Sequence, residues 1–203
     1  MTEALPAPAL LTADITPFVT LVRFAKPTER NPLSLATLTE LDALLTALLN
    51  SEAVETIIFT GTDDVFLSGA NIRELAQLDT DSARQFAKFG QRLFQSIANA
   101  RQKTIAAING YCMGGGMDLA LACDIRVAST DARFAHPGAR LGIITGWGGT
   151  QRLPRLIGKA RALELFATAK MFTATEALDF GLIEAVGDPV VQLATDLAVS
   201  SRR

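Results

Sequence analysis

Few of the residues that build metal centres and disulfides occur in this chain of 203 residues. It has one histidine, His136, and two cysteines, Cys112 and Cys123, which follow no metal-ligand spacing. We therefore expect neither a structural zinc nor a disulfide framework, as is usual for a protein of a reducing cytoplasm. The single imidazole also excludes metal chemistry that needs several histidine ligands.

Long runs of basic or of apolar residues are absent as well. The longest basic run is the terminal pair Arg202-Arg203 and the formal net charge is −2, so we expect no nucleic acid partner. No apolar stretch is long enough to span a bilayer, and the first residues lack the basic and apolar regions of a signal peptide. We therefore expect a cytoplasmic protein with no membrane partner.

The composition that is present is that of a globular α/β domain. Hydrophobic residues make up 49% of the chain and charged residues 20%. Strand-like and helix-like patterns alternate, which predicts an α/β fold whose consecutive strands are roughly parallel. We expect a loose N-terminal leader over residues 1–14, a single domain over 15–203, and terminal helices from about residue 159.

Two glycine-bearing turns each follow a predicted strand and precede a predicted helix. They span 66–71 (FLSGAN) and 110–116 (GYCMGGG). Glycines leave the backbone uncovered, and the N–H groups that begin a helix have no partner inside it. Because such turns share the carboxyl edge of a parallel sheet, one N–H from each can converge on an oxygen that becomes negative during a reaction. Asp118 follows in the first helical turn, either as an acid/base group or as a residue that suits the helix dipole.

The other glycine motifs do not fit known nucleotide or nucleophile sites. Gly146-Trp-Gly-Gly149 lacks the spacing of a dinucleotide-binding turn, and Gly158-Lys159 lacks the rest of a P-loop. There is no G-x-S-x-G elbow. A Ser-His-Asp triad stays open, although no serine sits on a sharp turn between two glycines.

Three segments resemble the signature blocks of the crotonase (enoyl-CoA hydratase/isomerase) superfamily. They are residues 66–75, 109–126 and 141–158, in the family's order and at its spacing. The resemblance implies a crotonase-like spiral of ββα turns with surrounding helices, assembled as a homotrimer or a dimer of trimers. It implies a coenzyme A thioester as substrate, with no permanently bound cofactor and no metal.

The resemblance also implies roles for particular residues. The thioester oxygen would be held by the backbone N–H groups of Ala70 and Gly115, which would stabilise an enolate. The residues implied to line the pantetheine and nucleotide end of the cofactor are Ser68, Gly69, Ala70, Asn71, Ile72 and Arg73. Arg23, Lys26 and Arg30 are further candidates for phosphate contacts, or else ordinary surface cations.

The chain departs from the family's pattern at its two acid/base positions. Hydratases of the family carry a glutamate at each, whereas here the first position holds Asp118 and the second, twenty residues later, holds Gly138. With one carboxylate absent and the other retracted, we expect double-bond isomerisation, thioester hydrolysis or decarboxylation rather than efficient hydration. We expect His136 to face elsewhere across Pro137, although a hydratase rescued by His136 remains an alternative.

Two expectations concern packing and the end of the chain. Trp147 is expected to pack at the start of a helix rather than to contact substrate. The chain stops at Arg203, within the helix after Val190, where relatives continue with helices that cover the acyl pocket. We therefore expect a shortened C-terminal helical region, with cover from neighbouring subunits or a more open site. A non-catalytic acyl-CoA-binding or assembly subunit is the alternative to an enzyme.

Overall fold

The structure is a computed structural model, and it describes residues 8–200. Its strands are β1 (Leu10–Thr16), β2 (Val19–Phe24), β3 (Pro32–Leu33), β4 (Thr56–Thr60), β5 (Val65–Leu67), β6 (Gly69–Ala70), β7 (Lys103–Ile108), β8 (Tyr111–Met113), β9 (Ile125–Ala128), β10 (Arg133–Ala135), β11 (Phe172–Thr173) and β12 (Ala185–Val186). Its α-helices are α1 (Leu35–Asn50), α2 (Ile72–Leu75), α3 (Thr80–Ala98), α4 (Gly115–Ala122), α5 (Gly149–Ile157), α6 (Lys159–Thr168), α7 (Ala174–Asp179) and α8 (Val190–Ser200). Short 3-10 helices cover Pro27–Glu29 and Pro137–Leu141.

The strands form a large sheet, a smaller one and a short two-stranded pair. The large sheet has the order β1-β2-β4-β7-β9-β12, and all its pairings are parallel except that of β1 with β2. The smaller sheet has the order β11-β10-β8-β5 and is parallel except between β10 and β11. The β3–β6 pair is parallel. The expectation of roughly parallel consecutive strands is thus correct for the centre of each sheet and wrong at these two edges.

Three successive chain segments repeat one path between the two main sheets. The segments β4–β5, β7–β8 and β9–β10 each place their first strand in the large sheet and their second in the smaller one. Helices follow each segment: α2 and α3 after the first, α4 after the second, and α5 after the third. This is a spiral of ββα turns, and the predicted crotonase-like α/β fold is confirmed.

The large sheet is covered on both faces, so its central strands are almost wholly buried and mostly apolar. On one face, α8 packs Val190, Ala194 and Ala198 against residues such as Ile58 and Ile105. The other face carries the main core, which includes residues of α1, α3 and α4 and the phenylalanines of the strands. Helix α4 is buried along its whole length, which explains why apolar residues surround it on all sides.

Several helix boundaries agree with the sequence patterns because their caps are local. The side chain of Ser34 accepts the N–H of Thr37 at the start of α1. At α7, Thr173 and Glu176 form a capping box, as their spacing of three residues favours. The terminal helices begin at Lys159, as expected.

The predicted loose leader over residues 1–14 is wrong from Leu10 onward. Residues 10–14 belong to β1, which pairs antiparallel with β2 from Leu10 opposite Phe24 to Thr16 opposite Val19. Only the first residue of β1 is buried, so the edge strand has no alternating apolar pattern that the sequence would reveal. Residues 1–7 lie outside the described residues. Within residues 8–200, no helix combines the length and apolar character needed to cross a membrane.

Candidate active site

A cavity of about 250 Å³ lies between the turn at 68–70, the first turn of α4, helix α3 and residues 136–147. Most of the predicted site residues are on its wall, namely Ser68, Gly69, Ala70, Ile72, Gly115 and Asp118. Asn71 and Arg73 are not on this wall. Asn71 instead caps α2, its side chain accepting the backbone N–H of Arg73 at 3.0 Å.

The two glycine-bearing turns meet at the cavity. Gly69 has φ +96°, in the left-handed region that favours glycine. A Cβ at Gly69 would lie 2.9 Å from the carbonyl oxygen of Met113 and 3.2 Å from the backbone nitrogen of Gly115. The approach is therefore possible only without a side chain, and it brings the first turn directly against the start of α4.

Two backbone N–H groups at this junction are not used by the local secondary structure. Gly115 is the first residue of α4, so its N–H has no acceptor within the helix. Because Pro32 has no N–H, the β3–β6 pairing runs through the N–H groups of Leu33 and Gly69. Successive N–H groups of a strand point to opposite sides, so that of Ala70 points away from β3.

Asp118 is completely buried in the first turn of α4, with its carboxyl group at the cavity wall. The hydroxyl of Thr145 donates to Oδ2, and the backbone N–H of Trp147 also bonds to the carboxyl group. Burial raises the pKa of Asp118 to about 7, although these two hydrogen bonds and the positive charge of Arg152 act in the opposite direction. Asp118 is the only acidic residue on the wall among the residues that the structure describes.

His136 faces Asp118, so the expectation that it points elsewhere across Pro137 is wrong. Its Nε2 lies 3.6 Å from Oδ1 of Asp118, and the ring is 4% exposed. The reason is the strand before it: Ala135 of β10 pairs with Met113 of β8, which places the next residue beside the start of α4. This parallel pairing joins segments 22 residues apart, and no local sequence signal reports it.

Burial acts on the two facing groups in opposite directions. It lowers the pKa of His136 to about 4, just as it raises that of Asp118. Burial thus disfavours both charges, and near neutral pH the groups face each other mainly as a neutral imidazole and a carboxyl group that is partly protonated. The 3.6 Å separation is therefore better described as a close approach than as a formed ion pair.

Gly138, which we expect to be the vacant acid/base position, is on the wall, but the space beside it is filled. A Cβ at Gly138 would lie 2.6 Å from the carbonyl oxygen of Ile143. The same two residues are joined by a hydrogen bond from the N–H of Ile143 to the carbonyl of Gly138 at 3.0 Å. The main chain at 143 thus occupies the space that the Cβ of any other residue at position 138 would need.

The remaining wall is mostly apolar. Trp147 is packed at the approach to α5, as expected, with ring centroids 5.3 Å from Phe86 and 5.5 Å from Phe94, and it also lines the cavity. Ile72 and Ile144 are 59% and 64% exposed on the same wall. The pattern around Phe86 is equally typical of a helix that faces the core, and Ile144 has no periodic neighbours, so the sequence does not indicate this lining. The one available signal was a pair of adjacent isoleucines in a segment without helix or strand periodicity.

The candidate phosphate contacts lie away from this wall. Arg23 donates from Nη1 to the carbonyl of Gly61 at 2.8 Å. The guanidinium of Arg30 lies 4.9 Å above the ring of Tyr111. Both cations therefore have contacts within the protein, and neither lines the cavity.

Comparisons with known proteins agree with the fold. Residues 14–200 match the family described as Enoyl-CoA hydratase/isomerase. A crotonyl-CoA hydratase of Syntrophomonas wolfei is 42% identical over 165 residues, which are 81% of this chain and 64% of that protein. A short-chain-enoyl-CoA hydratase of Clostridium acetobutylicum is 37% identical over 185 residues, which are 91% of this chain and 71% of that one.

Solved structures give the same result. The crystal structure of an enoyl-CoA hydratase from Bacillus anthracis matches with a TM-score of 0.90 at 35% identity, covering 95% of this chain and 76% of that one. The chain thus spans less than two thirds of the Syntrophomonas relative and about three quarters of the Bacillus protein.

Proposed function

The chain belongs to the enoyl-CoA hydratase/isomerase family, and we propose that its cavity binds the acyl group of a coenzyme A thioester and forms the enolate of that thioester. The observation that carries this proposal is the junction of the two glycine turns beside a buried carboxyl group. The N–H groups of Ala70 and Gly115 are the donors for the thioester oxygen, and Asp118 is the group that moves the proton. No permanently bound cofactor or metal takes part in the proposed chemistry.

The charge that develops in the reaction explains why two N–H groups are needed. When a base removes the proton next to the carbonyl, the C–H electron pair is delocalised onto the thioester oxygen. Donors already in place stabilise that oxygen without reorganisation, and losing one such donor typically reduces the rate about 10²–10³-fold. The dipole of α4, whose first residue supplies one of the donors, has the favourable sign.

Asp118 suits the role of base because its pKa is raised towards the pH at which the protein works. A carboxyl group with a pKa of about 7 is a stronger base than an ordinary aspartate, yet it is still partly ionised at neutral pH. Asp118 is also deeply buried in a region of low dielectric. Electrostatic interactions with the charge that develops on the thioester are stronger there than in water.

We further propose that the reaction is double-bond isomerisation, thioester hydrolysis or decarboxylation rather than efficient hydration. Hydration needs one group to activate water and another to handle the proton on the neighbouring carbon. Gly138 supplies no proton carrier, and the main chain of Ile143 occupies the space beside it. Among the described residues, the wall therefore offers one carboxyl group where a hydratase of the family has two.

The acyl group would contact the apolar part of the wall, which includes Trp147, Phe86 and Ile144. The pantetheine and nucleotide end would lie along 68–73, with Asn71 and Arg73 outside the cavity. We also propose the family's homotrimer or hexamer, which sedimentation in solution would test.

Parallel assays with crotonyl-CoA and a 3-enoyl-CoA test the proposed function. Products are separated by chromatography and identified by mass, since hydration adds one water and isomerisation leaves the mass unchanged. We expect isomerisation of the 3-enoyl-CoA to exceed hydration of crotonyl-CoA, and Asp118→Asn to abolish it. Rapid hydration of crotonyl-CoA as the main activity, or turnover that is indifferent to Asp118→Asn, would overturn the assignment.

A second candidate function is acyl-CoA binding without catalysis, as a binding or assembly subunit. The glycine at 138 and the partial protonation of Asp118 near neutral pH favour it over an active hydratase. Titration calorimetry with a CoA thioester separates the two functions. Binding without any chemical change of the thioester supports the second function, whereas absence of binding contradicts both.

A further inference from the structure

We propose that Asp118 and His136 work as one proton-sharing pair, in which His136 is the positioning residue that holds the proton taken up by Asp118. This inference rests on the proposed function for its chemical role, but the pair itself can be tested without any substrate. It also explains how a site that lacks a side chain at Gly138 keeps two places for a proton.

The first observation is that two buried polar atoms face each other and have no other partner. Oδ2 of Asp118 accepts a hydrogen bond from the Thr145 hydroxyl, but Oδ1 has no hydrogen-bond partner within the protein. Nε2 of His136 has none either. The two unpartnered atoms are 3.6 Å apart, so a movement of about 0.7 Å brings them to ordinary hydrogen-bond length.

The second observation is that the fold holds both groups and excludes water from them. Asp118 is 0% exposed and His136 is 4% exposed. The ring of His136 packs against Phe166 of α6, with 5.0 Å between the ring centroids. Pro137 begins a 3-10 helix immediately after His136, which restricts the backbone on that side. Both groups are therefore held in fixed positions on the cavity wall.

Few charged or titratable groups lie near Asp118 and His136, so a titration observed at the site can be assigned to this pair. On the cavity wall, Asp118 and His136 are the only titratable side chains among the described residues. Arg152 of α5 acts on Asp118 through its positive charge. Of the thiols, Cys112 on β8 is influenced by Asp118, and burial raises its pKa well above the usual range, so it stays protonated.

The proton balance of the proposed step closes within the pair. The carboxylate of Asp118 takes the proton from the carbon next to the thioester, and the C–H electron pair becomes the enolate. The proton then lies between Oδ1 and Nε2, as a carboxyl facing an imidazole or as a carboxylate facing an imidazolium. When it returns to the acyl chain, at the third carbon from the thioester carbonyl in an isomerisation, a new C–H bond forms and the pair regains its starting state.

Because the captured proton has two sites instead of one, the pair is a stronger base than Asp118 alone. Replacement of His136 by glutamine removes the second site and supplies a side-chain N–H that favours the carboxylate. The pH at which kcat/KM for a 3-enoyl-CoA is half-maximal on the acid side should therefore fall by about 1 unit in His136→Gln. The matched control is Phe166→Leu, which loosens the packing of the ring but keeps the imidazole, and it should leave that pH unchanged.

The substrate-free test uses the fact that His136 is the only histidine of the chain. Its imidazole proton and nitrogen NMR signals are followed as a function of pH in the wild type and in Asp118→Asn. We expect an inflection near neutral pH that comes from the shared proton and disappears in Asp118→Asn. Signals without this inflection, or with the same inflection in both proteins, overturn the pair even if the enzyme is active. An inflection that behaves as expected in a protein that turns over no thioester supports the pair and contradicts the proposed function instead.

Discussion

The carbonyl oxygen of Ile143 lies 2.6 Å from the point where a side chain at Gly138 would begin. A glutamate introduced there has no room unless the main chain at 142–145 moves. That movement would disturb Thr145, whose hydroxyl donates to Asp118. The acid/base position at Gly138 therefore lacks both a functional group and the space for a side chain.

We expect Gly138→Glu to destabilise the protein and to leave hydration of crotonyl-CoA low. Overpacking of this kind typically costs about 1–3 kcal/mol, and denaturant unfolding measures it. Gly146→Ala is the matched control, because a Cβ there would be 4.0 Å from its nearest neighbour, the Cβ of Ala87. A stable Gly138→Glu variant that hydrates crotonyl-CoA rapidly would contradict this expectation, because it would show that the main chain at 142–145 moves at little cost.

Gly115→Ala tests the proposed oxygen-binding role of the Gly115 N–H, because the added methyl group would clash with a neighbouring side chain and displace the start of α4. A Cβ at Gly115 would lie 2.5 Å from the indole of Trp147, which is itself enclosed by Phe86 and Phe94. We expect the start of α4 to shift and the rate to fall about 10²-fold, because one donor is misplaced relative to the thioester oxygen. The rate of 3-enoyl-CoA turnover measures this effect. A variant as active as the wild type would remove Gly115 from the proposed role.

Thr145→Val should move the acid limb of the pH profile in the direction opposite to His136→Gln. The Thr145 hydroxyl donates to the carboxylate of Asp118 and lowers its pKa, so loss of the hydroxyl raises the pKa of Asp118 further. The pH of half-maximal kcat/KM therefore rises. Thr145→Ser, which keeps the hydroxyl, should restore the wild-type profile, and a shift shared by both variants would point to packing as the cause.

The stability of the fold should also depend on the ionisation of Asp118. Its pKa is about 7 in the folded protein and about 4 when unfolded, so the folded state binds more protons between these values. Asp118 therefore contributes a loss of stability as pH rises from about 4 to 7. Burial of His136 acts in the opposite sense, since its pKa falls to about 4, and stability is lost as pH falls from about 6.5.

Comparison of the wild type with Asp118→Asn measures the contribution of Asp118 together with its coupling to His136, which is present in both proteins. We expect the free energy of unfolding of the variant, relative to that of the wild type, to increase by roughly 2–4 kcal/mol between about pH 4 and pH 8. Denaturant unfolding at a series of pH values measures it. A difference that does not change with pH would mean that Asp118 titrates normally in the folded state.

The features that could be predicted from the sequence are those with local physical causes. The cap at Ser34 and the capping box at Thr173 are decided within one helical turn. The two glycine-bearing turns were identified because only glycine allows such close approach of one backbone to another. The assignment of Gly138 to the second acid/base position follows from its spacing of twenty residues from Asp118, which the sequence alone gives.

The features that could not be predicted depend on contacts between distant segments. The position of His136 follows from the pairing of β10 with β8, and the short strand β8 itself has three residues with no periodic pattern. The closure of Gly138 by Ile143 depends on a loop conformation, and the segment around Ile143 has no helix or strand periodicity. In each case the deciding interaction is tertiary, and a pattern along the chain does not encode it.

The most direct test of the account is proton exchange at the carbon next to the thioester in heavy water. A saturated acyl-CoA, which can be neither hydrated nor isomerised, is incubated with the wild type and with Asp118→Asn, and its mass is followed. The account predicts that the wild type incorporates deuterium at that carbon and that Asp118→Asn does not. Absence of exchange with the wild type, or equal exchange with both proteins, would contradict enolate formation by Asp118.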